Sequence, residues 1–299
     1  MAPKSTSREP SRTTIGRADF KQPYNSSVLN ISGMSFGAFS PKAIRALNGG
    51  AEKGNFADAS GEGSVSRHHT DFNGDRVWQI GSGYFGCRNE DGSFTAERFA
   101  DTAKLDQIKI IEIKLSQGVK PGRGGVLPAA KINEEISRAR CVPMGWDGAS
   151  PACRRVFSTP IELTRFVKLL RELAESKPVW IMLCLGHPLE FMSLVKAILV
   201  ASIAPDFIAV DGNEGGRHRC CATGVRRSCW DVVAGWSLVR AQRTCRCGLA
   251  GPDPGWRQRK NRFRFRYGLR DGAWCRLLQC GAGLYVRRRL HPRPVLSLR

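Results

Sequence analysis

Lys109 to Lys131 reads KIIEIKLSQGVKPGRGGVLPAAK, and its two halves have opposite character. Ile110, Ile111, Ile113 and Leu115 form a short apolar run with Lys114 set into it, the pattern of a buried strand. Gly118, Pro121, Gly122, Gly124 and Gly125 then break the chain into a loop. A strand feeding a glycine-rich loop lets backbone N–H groups come close to a ligand, because glycine has no Cβ in the way. Lys114 and Gln117 fall at the C-terminal end of that strand, where α/β barrels place their chemistry. A lysine inside an apolar strand is costly unless it meets an anion or a polar ligand.

Working outward, the chain before and after this stretch alternates strands and helices. Ser27–Ser35, Asn55–Ser60, Val77–Ile80, Val179–Leu185 and Phe207–Asp211 read as further strands. Pro41–Lys53, Ile161–Ala174 and Phe191–Ser202 carry helical patterns, the first with proline near its start. This alternation implies parallel βα units, about six of them, in a barrel or a doubly wound sheet. No GxGxxG follows the first strand, which weakens the dinucleotide-binding alternative. The strand ends carry Met34 and Ser35, Glu62, Gln79 with Ser82, Lys114 with Gln117, and Asp211 to Gly216. These are nearly all polar or glycine, and in a closed barrel they converge on one mouth, shaped for a flat ring with a phosphate tail.

Composition divides the 299 residues at one point. From Arg217 to Arg299 there are 19 Arg and one Lys against three acids, Asp231, Asp253 and Asp271, a net of +17. Residues 1–216 hold 27 bases and 23 acids, a net of only +4, so the overall +21 belongs almost wholly to the tail. The tail also holds seven of the 11 Cys and four of the seven Trp, with no Glu, Ile or Met. Its apolar residues show no sustained period of 2 or 3.6, which predicts an irregular tail. Cys220-Cys221 and the CRC at Cys245–Cys247 lack zinc-site spacing, so no metal ligands are assigned. The RQRKNRFRFRY run, Arg257–Tyr267, mixes arginine with aromatics and predicts nonspecific, salt-sensitive nucleic-acid binding. Residues 1–26 are polar, lack an apolar signal core and read as a disordered lead-in. No run of 18 apolar residues occurs, so a cytoplasmic protein without a membrane span is expected.

Five blocks together resemble one family. NISGMSFGAFSPKAIRALNGGAEKG, SGEGSVSRHH, QIGSGYFG, EIKLSQGVKPGRGGVLPAAK and VDGNEGG are similar, in this order, to the FMN-binding synthase domain of glutamate synthase. The likeness runs from about Asn30 to Gly216, and is greatest to the stand-alone bacterial and archaeal proteins. The resemblance implies an FMN-binding (β/α)8 TIM barrel, here incomplete, spanning 27–216. It implies an oxidoreductase in which reducing equivalents pass through FMN to 2-iminoglutarate, formed from 2-oxoglutarate and ammonia, to give L-glutamate; the electron donor is unknown. By motif position, the resemblance implies that Met34, Ser35, Gln79 and Lys114 lie around the flavin. Ser82, Asp211, Gly215 and Gly216 at the strand ends are counted with them as cofactor-binding. The resemblance further implies that Lys114 and Gln117 reach the substrate carboxylates and that Glu62 sits at the ammonia entry.

Departures from the family are specific. The fifth strand usually carries a lysine where WIMLCLGHP has Met182, and GEGG reads Gly61-Glu62-Gly63-Ser64. After Ser150-Pro151 the usual histidine is missing, the chain reading Ala152-Cys153-Arg154. No cysteine matches the family's iron–sulfur cluster, and its glutamine amidotransferase domain has no counterpart in this sequence. After Gly216 the family continues GGTGAAP and LEFVDHVGTSLRDGL, whereas this chain reads RHRCCATGVRRSCWDVVAGWSL. Arg217–Ala222 can be written with permitted codons as CGG CAC CGG TGC TGC GCC, which from its second base reads Gly-Thr-Gly-Ala-Ala-Pro. Continued through Leu238 with permitted codons, the shifted frame reads LEFVDHVGTSLRDGL. Residues 217–299 are therefore read as an out-of-frame translation of the same gene. On this reading six strands are in frame, strands 7 and 8 with their phosphate site are lost, and the chain is an inactive truncated form. Two rivals stay open: a basic nucleic-acid-binding protein, and an FMN oxidoreductase of another substrate, such as a 2-hydroxy acid oxidase using His187.

Overall fold

The structure, a computed structural model, describes residues 12–16, 20–117, 124–184, 188–211, 264–270 and 273–280. An antiparallel hairpin comes first, β1 (Arg12–Ile15) with β2 (Tyr24–Ser27), in the register Arg12↔Ser27 to Ile15↔Tyr24. Then follow β3 (Leu29–Ile31), α1 (Pro41–Gly54), β4 (Asp58–Ala59), α2 (Arg67–Thr70), β5 (Arg76–Ile80), α3 (Ala96–Ala103) and β6 (Ile108–Lys114). A small two-stranded sheet, β7 (Val126–Leu127) with β8 (Gly148–Ala149), brackets α4 (Glu134–Arg140). The chain continues with α5 (Pro160–Leu173), β9 (Val179–Leu183), α6 (Pro188–Ala201) and β10 (Phe207–Val210). From the tail, β11 (Arg264–Arg270) and β12 (Ala273–Cys280) are described by backbone placement.

β3, β4, β5, β6, β9 and β10 lie side by side in that order, every pair parallel, as a curled six-stranded half-barrel. These are the six strands expected from the sequence. They form because their two faces are both covered, so β9 (VWIML) and β10 (FIAV) are apolar and buried throughout. Alternate residues serve two cores. Val77, Ile110, Trp180, Met182, Phe207 and Ala209 fill the inside of the curl, joined by Ile15 and Tyr24 from the β1–β2 hairpin. Trp78, Ile80, Ile111, Ile113 and Ile181 face outward against Phe99 of α3, Leu163, Phe166, Val167 and Leu170 of α5, and Leu194 of α6. That period of two puts Gln79, Glu112 and Lys114 on the inner face with Val77 and Ile110.

The hairpin β1–β2 closes the N-terminal end of the strands. Tyr24 Oη donates to Asp75 Oδ2 at 2.9 Å, just ahead of β5, and Arg12 Nη1 donates to the carbonyl of Asn55 at 2.7 Å, ahead of β4. So part of the segment read as a disordered lead-in is an ordered plug. At the same end Arg76 Nη1 meets Asp58 Oδ1 at 2.8 Å, both side chains buried.

Helix ends carry the chemistry that the sequence advertised. Ser40 caps α1 by accepting from Ala43 N, with Pro41 in the first turn, and Asn55 ends it in the left-handed region at φ 49°. α5 begins with Pro160 and a reciprocal capping box between Thr159 and Glu162. α6 starts at Pro188, three residues before the expected Phe191. α3 and α4 escaped the sequence reading because they are short, with only Phe99 and Ala103, or Ile136 and Arg140, buried.

The tail differs from expectation over two segments. β11 and β12 form an antiparallel hairpin, Arg264↔Gln279 to Arg270↔Ala273, and β12 pairs in parallel with β3 through Leu278↔Leu29 to Cys280↔Ile31. Phe265, Tyr267 and Leu269 do alternate with Arg264, Arg266 and Arg270, a period of two too short to register across 83 residues. The sequence between the strands reads Asp271-Gly272, a favoured two-residue hairpin turn. This pairing does not complete the ring with two parallel strands: only β12 runs parallel to the other six. Among the described residues no helix is long and apolar enough to cross a membrane.

Candidate functional site

The C-terminal ends of the six strands gather most of the residues singled out in the sequence. Glu62 follows β4, Ser82 follows β5, and Lys114, Leu115, Ser116 and Gln117 end β6; all of them line one narrow cleft with Gly124, Gly125, Pro151 and Ala152. Lys114 Nζ lies 3.4 Å from Glu62 Oε2, and both side chains are largely buried. This ion pair is the answer to the cost of a lysine on the strand: β6 delivers an ammonium to the mouth and the loop after β4 supplies its counter-charge. Ser82 Oγ donates to the carbonyl of Pro151, tying the loop after β5 to the segment that covers the cleft.

Close backbone approach shapes the mouth. Gly61 has φ +71°, and a Cβ there would lie 2.5 Å from Ser35 Oγ, so only glycine lets the two loops touch. Ser35 Oγ in turn accepts from Gly63 N at 3.2 Å, holding the loop after β3 against the loop that carries Glu62. A Cβ on Gly125 would come within 2.5 Å of Glu62 Oε1, so the glycine stretch closes directly over the carboxylate.

Deeper in, Gln79 is buried on the inner face of β5. Its Nε2 donates to Glu112 Oε2 at 2.6 Å and lies 3.5 Å from Met182 Sδ. Gly33 packs against the same amide, a Cβ there reaching 3.0 Å from Gln79 Oε1. Met34 is buried in the cluster with Phe36, Ile44 and Phe85. Asp211 is buried at the end of β10, its N–H donating to the carbonyl of Leu183 at 2.8 Å. Gly215, Gly216 and His187 lie outside the described residues.

Three residues at the site were missed in the sequence. Glu112 partners Gln79; its place two before Lys114 puts it on the same face of β6, a signal that was there to be used. Arg154 Nη2 donates to the carbonyls of Ile80 at 2.7 Å and Lys114 at 2.8 Å, stapling the ends of β5 and β6. Burial pushes its guanidinium down, while Tyr84, Cys87 and Glu62 nearby oppose that shift. Arg154 falls in the stretch where the family's histidine is absent, so the departure was legible but not its consequence. Arg140 at the end of α4 donates to the carbonyl of Phe36 at 2.9 Å and sits over the Phe85 ring; nothing local in the sequence marks it. Among the described residues no cluster of three or more His, Cys, Asp or Glu could hold a metal ion.

Against known proteins, the conserved region in glutamate synthase matches residues 9–228 of this chain. The chain belongs to the glutamate synthase family. It is 38% identical over 204 residues to the glutamate synthase large subunit-like protein YerD of Bacillus subtilis, covering 68% of this chain and 38% of that protein. It is 29% identical over 185 residues to the archaeal-type glutamate synthase [NADPH] of Dehalococcoides mccartyi, covering 62% and 34%. With the archaeal glutamate synthase [NADPH] of Archaeoglobus fulgidus the identity is 30% over 188 residues, covering 62% and 33%. The chain thus spans about a third of the length of these curated relatives, from 33% to 38%. Family membership and the half-barrel agree: the parallel strands and their polar ends lie within the matched region.

Proposed function

We propose that residues 27–216 are the front of a glutamate synthase-type FMN oxidoreductase barrel, and that the reading frame departs from the family after Gly216. The observation that carries the proposal is the Lys114–Glu62 pair at the strand ends, in one cleft with Ser82 and Gln117, in a chain of this family. The residues present suit the edge of a flavin ring. Gln79, Ser35 and the bare backbone at Gly33 and Gly61 offer hydrogen-bonding groups, and Lys114 offers a cation. When bound, FMN would supply the transfer of reducing equivalents to 2-iminoglutarate.

The chain's own residues would do the rest. Lys114 and Gln117 would bind and orient the carboxylates of 2-oxoglutarate, the ammonium as a charge and the amide as a donor. Glu62, released from Lys114 as the substrate carboxylate takes its place, would accept a proton from ammonium at Oε2 and so present ammonia. Glu112 would hold the Gln79 amide with Nε2 inward, leaving Oε1 free as an acceptor. Gly124, Gly125, Pro151 and Ala152 would exclude water by covering the mouth. The cleft as it stands is about 40 Å³, far below the ~300–1,000 Å³ of ligand pockets. A ring therefore enters only if these segments part. The phosphate of FMN would need the loops of strands 7 and 8, which the frame after Gly216 no longer encodes. Hence the 299-residue chain is proposed to be inactive, and the gene with its frame restored to be the enzyme.

The test is glutamate formation from 2-oxoglutarate and ammonia with a reduced donor, using the frame-restored protein. Activity is expected, and Lys114→Met should lower kcat/KM at least a hundredfold, chiefly through KM for 2-oxoglutarate. An active Lys114→Met variant, or no glutamate from the restored protein with any of several reduced donors, would refute the proposal.

A further inference from the structure

A half-barrel leaves two sheet edges with unpaired N–H and C=O groups, a ready template for another strand. Here the edges are β3 and β10, and the tail hairpin reaches both. β12 forms a parallel ladder with β3, and β11 lies alongside β10 without a ladder between them. The orientation explains the asymmetry. β11 is antiparallel to β12, so it runs against the direction of the six front strands and of β10. A ring whose other members are parallel is thus closed on one side by hydrogen bonds and on the other by contact alone.

We propose that β11–β12 is a strap across the open seam, and that it keeps these edges from pairing with a second copy of this chain. The partner excluded is identified by the edges themselves: β3 and β10 run parallel, so β10 of one copy meets β3 of another with the polarity that a parallel ladder requires. The strap's sequence suits it to blocking rather than propagating a sheet. Arg264, Arg266 and Arg270 alternate along β11, and charged residues on an edge strand are a standard guard against further pairing. With β10 covered only by contact, that edge is the weaker side of the seam. This inference rests on strand placement alone, and it stands or falls without any flavin.

The experiment uses the whole 299-residue chain and the variant Leu278→Pro. Leu278 is paired with Leu29, and proline there removes a ladder donor from β12. Hydrogen exchange at Leu29–Ile31 and at Phe207–Val210 is followed with the amides of Arg76–Ile80 in central β5 as reference, alongside sedimentation velocity at several concentrations. The parent chain is expected to be monomeric, with Leu29–Ile31 protected better than Phe207–Val210. Leu278→Pro is expected to speed exchange at Leu29–Ile31 at least tenfold at low concentration and to form dimers or larger species as concentration rises. Loss of protection that spreads to β5 supports the strap as well, since a substitution in an undocked tail cannot reach the centre of the sheet. Unchanged exchange and unchanged mass in Leu278→Pro, or a parent chain that already self-associates, overturns the proposal.

Discussion

Two histidines follow the loop that carries Glu62, and one of them makes the fold sensitive to acid. His69 is 1% exposed, and burial, with the Arg76 guanidinium nearby, pushes its pKa down to about 3 from 6.5. Below about pH 6.5 the unfolded chain binds a proton that the folded chain refuses until about pH 3. The contribution is therefore complete above the unfolded value and is lost as pH falls, at about 1.4 kcal/mol per pH unit. Between pH 7 and pH 5 the parent should lose about 2 kcal/mol more stability than His69→Asn, read from urea denaturation of both at each pH. Equal losses would show that His69 is not buried neutral. At this scale the sequence was uneven as a guide. Lys114, Gln117, Glu62 and Ser82 were legible because polar residues at strand ends point to one mouth, and they share a cleft. Arg154 and Arg140 were not, because their partners are backbone carbonyls 40 to 104 residues away, which no local pattern encodes.

Among the elements, β9 decides how the site is electrostatically completed. Its register places Met182 opposite Lys114 of β6, and the contact with Gln79 Nε2 sets the thioether into the same inner network as Glu112. Where the family resemblance implies a lysine, this chain therefore has a neutral sulfur beside the amide proposed to face the flavin. In the frame-restored protein, Met182→Lys is expected to favour reduced over oxidised flavin about tenfold, an upward shift of about 30 mV for the two-electron couple. Spectroelectrochemical titration reads this directly; an unmoved or lowered potential would place Met182 away from the ring. The same element shows why the six strands were legible: β9 is buried on both faces, so its apolar run is unbroken and bounded by turn residues. The small two-stranded sheets were less so. β1–β2, with only Ile15 and Tyr24 in the apolar core, and β7–β8, two residues per strand, bury too little to leave a pattern.

At the scale of the whole molecule, the family match over residues 9–228 takes in all six parallel front strands. Strands β3, β4, β5, β6, β9 and β10 and their polar ends belong to one half-barrel, while the charge, cysteine and tryptophan content change abruptly after Gly216. The proposed shift of one base would account for that change and for a loss of the phosphate loops together, whereas a dedicated nucleic-acid-binding tail would account for the charge alone. The tail hairpin on β3 gives the half-barrel a covered edge; the proposed change of frame would remove the loops that hold a phosphate. Flavin absorbance per chain after desalting, on the 299-residue protein and the frame-restored protein side by side, separates these views. The 299-residue chain should retain far less than one FMN per chain, and the restored chain about one. Stoichiometric FMN on the 299-residue chain, or none on the restored one, would contradict the proposed loss of an FMN barrel after Gly216.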